Sequence, residues 1–545
     1  MYQTSLLDAQ TMDPAKPLAP RSATIAYPAQ WHSTAPGRAQ FLSAALAHRW
    51  AGPILLLLAA FTVRGIWFGD PVVQIDEQFY LLVGDRLLHG AIPYVDVWDR
   101  KPIGLFLLYA GIRLLGGSGI IEYQIVATLF AWGTALIVTR IARSVASPRA
   151  AWIAGMVYLL WLNMFSGPGG QSPVFYNLFV AGAGLLTLRA TGHGTANATR
   201  LRLGAAAMAL CGVAMQIKYT AMFEGMFFGL ALCWAQWRET RRLDATLGAG
   251  LGWMGIALVP SAAVLAFYAS IHQEQAFLFA NVLSVMQRGS AGTIELLQRL
   301  GMIALLLSPL LISLAWSERV KTWRAHDHHA HNFLLQWFGA AVIGLLVFGT
   351  YYDHYALPLL VSLSAAIAPV FDHMRGDKRI GLRVAGVLVA IGVIATGVGY
   401  RIVTLRKGNA DYIAQVVATI EANRHGGSLY LYDGEPVLYL FTGAPAPTKF
   451  LFPNHLDEAI EGPAIGVDPV VEEKRILATM PQVIVDGGLQ PQYRTPERVK
   501  GELDYINRAT RAVLDPVLAR DYRLVAQFPL KKRYRRIWVR RPDAA

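Results

Sequence analysis

Charge is scarce in this chain. Charged residues fill 16% of its 545 positions, where a soluble protein carries about a quarter. With 54% hydrophobic residues and a mean hydropathy of +0.37, this excludes an ordinary soluble protein and predicts a polytopic membrane protein. Cysteine is nearly absent. Cys211 and Cys233 both lie in apolar segments, which excludes a disulfide framework and reads as core packing. No glycine-rich phosphate loop is present, so nothing points to a nucleotide donor. The first 47 residues lack an apolar h-region. They read as a disordered cytoplasmic tail rather than a signal peptide.

What is abundant is positive charge, at a net +13. In a membrane protein Lys and Arg collect in short cytoplasmic loops, beside anionic lipid, so nucleic acid is not the expected partner. Apolar runs near 50–68, 119–141, 150–166, 174–190, 203–219, 221–237, 246–270, 298–316, 333–350, 355–372 and 382–403 give 11 predicted spans. Basic groups at Arg140, Arg143 and Arg149, at Arg189, Arg200 and Arg202, and at Arg238, Arg241 and Arg242 mark cytoplasmic turns. Arg319, Lys321 and Arg324, then Arg375, Lys378 and Arg379, continue the series. The pattern alternates only if 103–115, short and carrying Arg113, lies on the outer surface.

Besides the loop Ser166–Asn177 and the short turn Tyr351–Tyr355, three longer regions then face outward. The first loop is 69–118, the second an amphipathic segment at 271–297, and the third everything from 404 to 545. The last reads as an α/β domain, with strands at "SLYLYD", "PQVIVDGG", "DYRLVAQFP" and "RRIWVRR" and a helix at "DYIAQVVATIEANRHGG".

The first loop carries most of the chemistry. "VVQIDEQFYLLVGDRLLHGAIPYVDVWDRKP" gathers Asp76, Glu77, Asp96, Asp99, Arg100 and Lys101 against the membrane surface. A helix N-terminus accommodates one acid comfortably. It does not account for the acids and bases gathered at the far end of the loop, and charge at a membrane is costly unless it functions or is paired.

"IDEQFYLLVGDRLLHGAIPYVDVWDRKPIGLFLLY" resembles the first outer loop of the lipid-dependent membrane glycosyltransferases of the C superfamily. The nearest branch holds the lipid A aminoarabinose transferase and the protein O-mannosyltransferases. There an Asp-Glu pair precedes an acid-Lys-Pro motif and an amphipathic helix, matched here by Asp76-Glu77, Asp99-Arg100-Lys101-Pro102 and 103–115. "YYDHYALPLLVSLSAAIAP" and "LYDGEPVLYLFTGAPAPTKFLF" resemble later segments of that branch. Two departures stand out. Arg100 separates the acid from Lys-Pro, and the loop "SGPGGQSPVFYN" has Gln171 and Ser172 where relatives often carry an acid.

The resemblance implies a GT-C fold and transfer of a sugar from a polyprenyl phosphate, with a bacterial inner-membrane location and a periplasmic site. A carboxylate at that surface can take the acceptor hydroxyl's proton, and cations can hold the departing lipid phosphate. One base and one displaced phosphate predict inversion. Asp76 is the expected base, with Glu77 its competitor. Lys101, Arg100, His354 and Lys218 are expected at the donor phosphate, and Tyr80, Asp96, Asp99, Tyr352 and Tyr355 at acceptor and sugar. No cofactor is required, and a divalent cation is left open. The expected partners are the donor, membrane lipid and an acceptor that is a lipid, glycan or protein; the chain is expected to act as a monomer. An O-antigen-ligase-type transferase, a transporter or flippase, and a non-catalytic scaffold are the alternatives. Lower in rank come Glu224, the "HDHHAH" run from His326 to His331, read as a solvated loop, and the basic "KKRYRR" from Lys531 to Arg536, read as a solvated strand edge.

Overall fold

The computed structural model describes residues 50–320, 327–374, 379–496 and 505–544, and Gly52–Ala545 forms one compact unit. The predicted N-terminal tail, His326 and the basic residues Lys321, Arg324, Arg375 and Lys378 lie outside the described residues.

Helices dominate through residue 424. Among the described residues, seven are long and apolar enough to cross a membrane. They are Ile120–Ala142, Ser172–Ala190, Asn197–Met215, Leu243–Ser270, Thr293–Arg319, His328–Phe348 and the helix that begins at Ile380. Ala51–Gly65, Pro148–Met164, Met222–Thr240 and Leu359–Ala366 occupy the other predicted spans as shorter or more polar helices. The segment 103–115 forms a helix over Ile103–Arg113, 11 residues long, too short to cross a bilayer core. Its Arg113 pairs with Asp85 at 3.1 Å.

The C-terminal region holds a four-stranded sheet, β1 (Leu429–Leu431), β2 (Val483–Leu489), β3 (Tyr522–Pro529) and β4 (Arg533–Arg540), in the order β1-β2-β4-β3. β1 runs parallel to β2 and the other pairs are antiparallel. Buried Val, Leu and Ile side chains of β1 and β2 face the core.

The first-loop helix Ile75–Leu88 lies between bundle and sheet region. It packs on Ile103–Arg113 and on the short helix Val437–Thr442. Gln78 accepts from the Val437 N–H at 3.4 Å, Arg86 donates to the Ala444 carbonyl at 3.2 Å, and Phe79 meets Phe452 at 5.1 Å. Downstream in the same loop, the Trp98 N–H donates to the Lys449 carbonyl at 3.0 Å. The loop is thus held on two sides.

Candidate active site

The site forms where helix ends converge at one end of the bundle. Arg64, fully buried at the end of Ala51–Gly65, donates to the carbonyls of Gly167 at 2.6 Å and Gly169 at 2.8 Å. Tyr109 donates to the Gly170 carbonyl at 2.7 Å. These bonds fix the turn 166–171 against the first loop. Ser166 donates to Asp353, drawing in the segment Tyr351–Tyr355. Lys407, in the last turn of Ile380–Lys407, donates to the Val73 carbonyl at 3.3 Å and to Gln74 at 3.2 Å. This anchors the residue that precedes the first-loop helix.

Asp76 and Glu77 occupy the first helical turn, about 100° apart, and meet different surroundings. Asp76 is partly exposed and accepts a hydrogen bond from the Gln171 amide at 3.0 Å. Burial alone would raise its pKa. Lys101, His354, Gln171 and Lys218 more than offset this and hold the carboxyl below its usual range. Glu77 is wholly buried. It packs so closely on Gly169 that a Cβ there would lie 2.0 Å from its carboxyl oxygen, which is why glycine stands at that position. Burial pushes its pKa up to about 8, although the Gly170 backbone, the Tyr123 hydroxyl and Arg64 favour the charged form. At neutral pH the ionised acid facing the cations is Asp76, and Glu77 is mainly a neutral acid within the wall.

Among the described residues, neither Lys101 nor Lys218 has an acid at hydrogen-bond distance. Lys101 lies 3.9 Å from Asp99 and 5.6 Å from the centre of the Tyr80 ring. Burial opposes its charge, but Asp99 and Asp76 outweigh burial and raise its pKa. Lys218 is 6% exposed and sits 3.8 Å over the Tyr355 ring. Burial and then Lys101 push its pKa well below normal, while Asp76 pulls the other way. A lysine this enclosed is not snorkelling toward water. His354 stacks on Tyr352 at 5.9 Å and meets Tyr355 at 4.5 Å. Its pKa is lowered by burial first, so a neutral ring is favoured. Asp99 is buried, which raises its pKa.

The structure brings Asp76, Lys101, Lys218, His354, Tyr80, Asp99, Tyr352 and Tyr355 together. It does not bring Asp96 to them, and the head of Arg100 beside them is taken by another acid. Asp96 is exposed and accepts from the Ile92 N–H at 2.8 Å, closing a turn. Arg100 pairs with Glu461 at 2.5 Å. The Arg100 head is thus committed to Glu461, while Lys101 has Asp99 as its nearest acid. Gln171, Lys407, Asp353 and Arg64 were not expected here. Gln171 stands in place of a possible acid and serves as the hydrogen-bond donor to Asp76.

Elsewhere, Glu224 is buried and accepts from the Trp337 indole at 3.2 Å. His331 is buried and pairs with Glu318, unlike a solvated loop residue. The expectation of a solvated basic strand edge fails for the arginines of β4. Arg535 pairs with Asp433 at 2.6 Å and Glu435 at 3.3 Å, and Arg536 pairs with the buried Asp486 at 2.5 Å. Buried acids required those partners. Among the described residues, no group of three or more His, Cys, Asp or Glu is arranged to hold a metal ion.

No family model matches the chain, and no curated protein matches it. Solved structures do. ArnT from Cupriavidus metallidurans in the apo state aligns with a TM-score of 0.59 at 15% identity, over 89% of this chain and 97% of that one. The same protein bound to undecaprenyl phosphate gives 0.57 at 14%, over 90% and 98%. The Archaeoglobus fulgidus oligosaccharyltransferase tethered with an acceptor peptide gives 0.49 at 10%, over 81% and 70%. At such identities what is shared with ArnT is the fold, and at that level the resemblance to the GT-C glycosyltransferases holds.

Proposed function

We propose that this chain is an inverting glycosyltransferase that moves a sugar from a polyprenyl phosphate to a lipid, glycan or protein acceptor. The observation that carries this reading is the gathering of Asp76, held by Gln171, with Lys101 and Lys218 at one end of an ArnT-like bundle. An acceptor oxygen attacks the anomeric carbon and forms the new C–O bond. The bond from that carbon to the phosphate oxygen breaks, and its electron pair leaves with the lipid phosphate. Asp76 takes the acceptor's proton as the oxygen attacks. Lys101 stabilises the negative charge gathering on the phosphate, and Lys218 donates a hydrogen bond to it. Gln171 orients the base, and the hydroxyls of Tyr352 and Tyr355 are the groups offered to the sugar. That ArnT was crystallised with undecaprenyl phosphate supports a donor of the same class.

On this reading the chain sits in a bacterial inner membrane with 11 spans, its site and sheet region periplasmic. A periplasm-active reporter after Ala545 should be active and one at Ala325 inactive. The function is tested with purified protein in detergent against a panel of polyprenyl-phosphate sugars and acceptor lipids, read by mass spectrometry. Transfer with inversion is expected. Movement of intact lipid without glycosidic bond cleavage would overturn it in favour of a flippase.

A further inference from the structure

Glu461 belongs to the C-terminal region, yet its carboxylate is engaged by arginines from two other segments. One oxygen meets Arg100 of the first loop at 2.5 Å, and the other meets Arg288 of the second segment. All three side chains are largely buried. The Gly289 N–H donates to the Ile460 carbonyl at 3.0 Å, so backbone contact seats the same junction.

Each arm leads directly to the site. The Arg100 backbone N–H donates to Asp99 at 2.7 Å, and the next residue is Lys101. The Arg100 guanidinium also lies 5.4 Å over Trp98, whose ring meets His455 at 4.5 Å. On the other arm, Arg288 lies 5.8 Å over the Tyr352 ring, and Tyr352 stacks on His354. Arg299 covers Tyr352 at 4.3 Å but has its own acid in Glu295. The neighbouring Glu458 is occupied by Tyr505 and Asn454. Without Glu461, two enclosed guanidinium groups would face each other near Lys101 and Lys218, and like charges repel more strongly in such surroundings than in water.

We infer that Glu461 is a positioning residue: it ties the Asp99-Arg100-Lys101 wall to the Arg288-Tyr352-His354 wall and sets their separation. This rests on the proposed glycosyl transfer, because that separation is what a lipid phosphate and its sugar would meet. It also gives the C-terminal region a part in the reaction without contact to substrate.

The test uses the full chain in detergent. Glu461→Gln keeps shape and removes charge; Glu461→Asp keeps charge and shortens reach. Hydrogen exchange is followed by mass spectrometry over 96–105 and 284–292, and donor KM and kcat are measured for each protein. In Glu461→Gln, exchange should rise in both segments, although they are far apart in sequence. Donor KM should rise about tenfold while kcat changes less than about threefold, and Glu461→Asp should recover part of the KM. Faster exchange with unchanged KM would make Glu461 merely structural and overturn the inference, as would unchanged exchange. If Glu461→Gln does not fold, Glu461→Asp and Arg288→Lys carry the same comparison, and normal KM in both overturns it. A wild-type protein that transfers no sugar would defeat the functional reading instead; exchange and binding of undecaprenyl phosphate would then judge the tie alone.

Discussion

Two charge clusters in this molecule are built on opposite plans. In the sheet region Asp433 lies 3.0 Å from Arg533 and 2.6 Å from Arg535, and Asp486 takes Arg511 at 2.8 Å, Arg536 at 2.5 Å and the Trp538 indole at 2.8 Å. Acids and bases there close on each other. At the bundle end, the nearest carboxylate to Lys101 is Asp99, 3.9 Å away, and Lys218 rests on an aromatic ring. Asp76 is met by an amide rather than a cation at hydrogen-bond distance. Burying charge costs several kcal/mol per ion unless partners repay it. The first cluster is repaid internally. The second is paired more loosely, and the lipid phosphate of the proposed function is an anion that Lys101 would meet there. Density of charge therefore does not separate the two clusters; closeness of pairing does.

The sharpest way to break that contrast is Asp76→Asn. A positioned base contributes roughly 10²–10⁴-fold, so turnover should fall that far at nearly unchanged donor affinity, measured as kcat and KM on the same protein. Near-normal kcat would remove Asp76 from the chemistry. Next comes Lys101→Ala. It should raise the donor KM about tenfold or more, with partial recovery in Lys101→Arg, where charge survives in a different geometry. Titration with undecaprenyl phosphate would expose an unaffected affinity and so reassign Lys101 to anchoring.

In the closed cluster the expectation reverses. Asp433→Asn leaves the buried side of Arg535 underpaired, which costs about 3 kcal/mol by the usual penalty for breaking a buried pair. The melting midpoint in detergent should drop clearly, while kcat and KM of the folded enzyme stay within about twofold. A large kinetic defect at an unchanged midpoint would mean that the sheet cluster is not merely structural.

How much of this was legible in the sequence divides along the same line. The apolar runs announced the helices, and Asp76 and Lys101 stood out because charge beside membrane segments needs a reason. The amphipathic stretch after Pro102 folded as a helix because its pattern is local. What stayed hidden depends on contacts across hundreds of positions. Nothing near Gln171 indicates that its amide meets Asp76, and nothing near Lys407, a lysine at a helix end, indicates that it braces Gln74. Adjacency alone did not reveal the partner of Arg100: a cation next to Lys101 suggests a shared target, but its guanidinium is taken by Glu461, far along the chain. The β4 arginines misled by composition, because a basic run reads as solvated until its buried acids are known.

At Glu77 the kinetic effect is expected to be small, and its signature lies in pH dependence. The carboxyl is buried on Gly169 and pushed up to about 8, from the ordinary range near 4.5. The folded protein therefore holds a proton that the unfolded chain releases between those two values. Where the native state binds more protons, stability declines as pH rises. Glu77 thus stabilises the fold least above about pH 8 and most below about pH 4.5. Glu77→Gln replaces the neutral acid with a neutral amide of similar shape. It should leave kcat within about threefold at pH 7 and flatten the fall in melting midpoint between pH 5 and pH 8. Asp76→Asn should not flatten it, since its carboxyl is already held below the usual range. If Glu77→Gln abolishes turnover while Asp76→Asn preserves it, the base sits one residue further along the helix, and the loosely paired cluster is loose for a different reason.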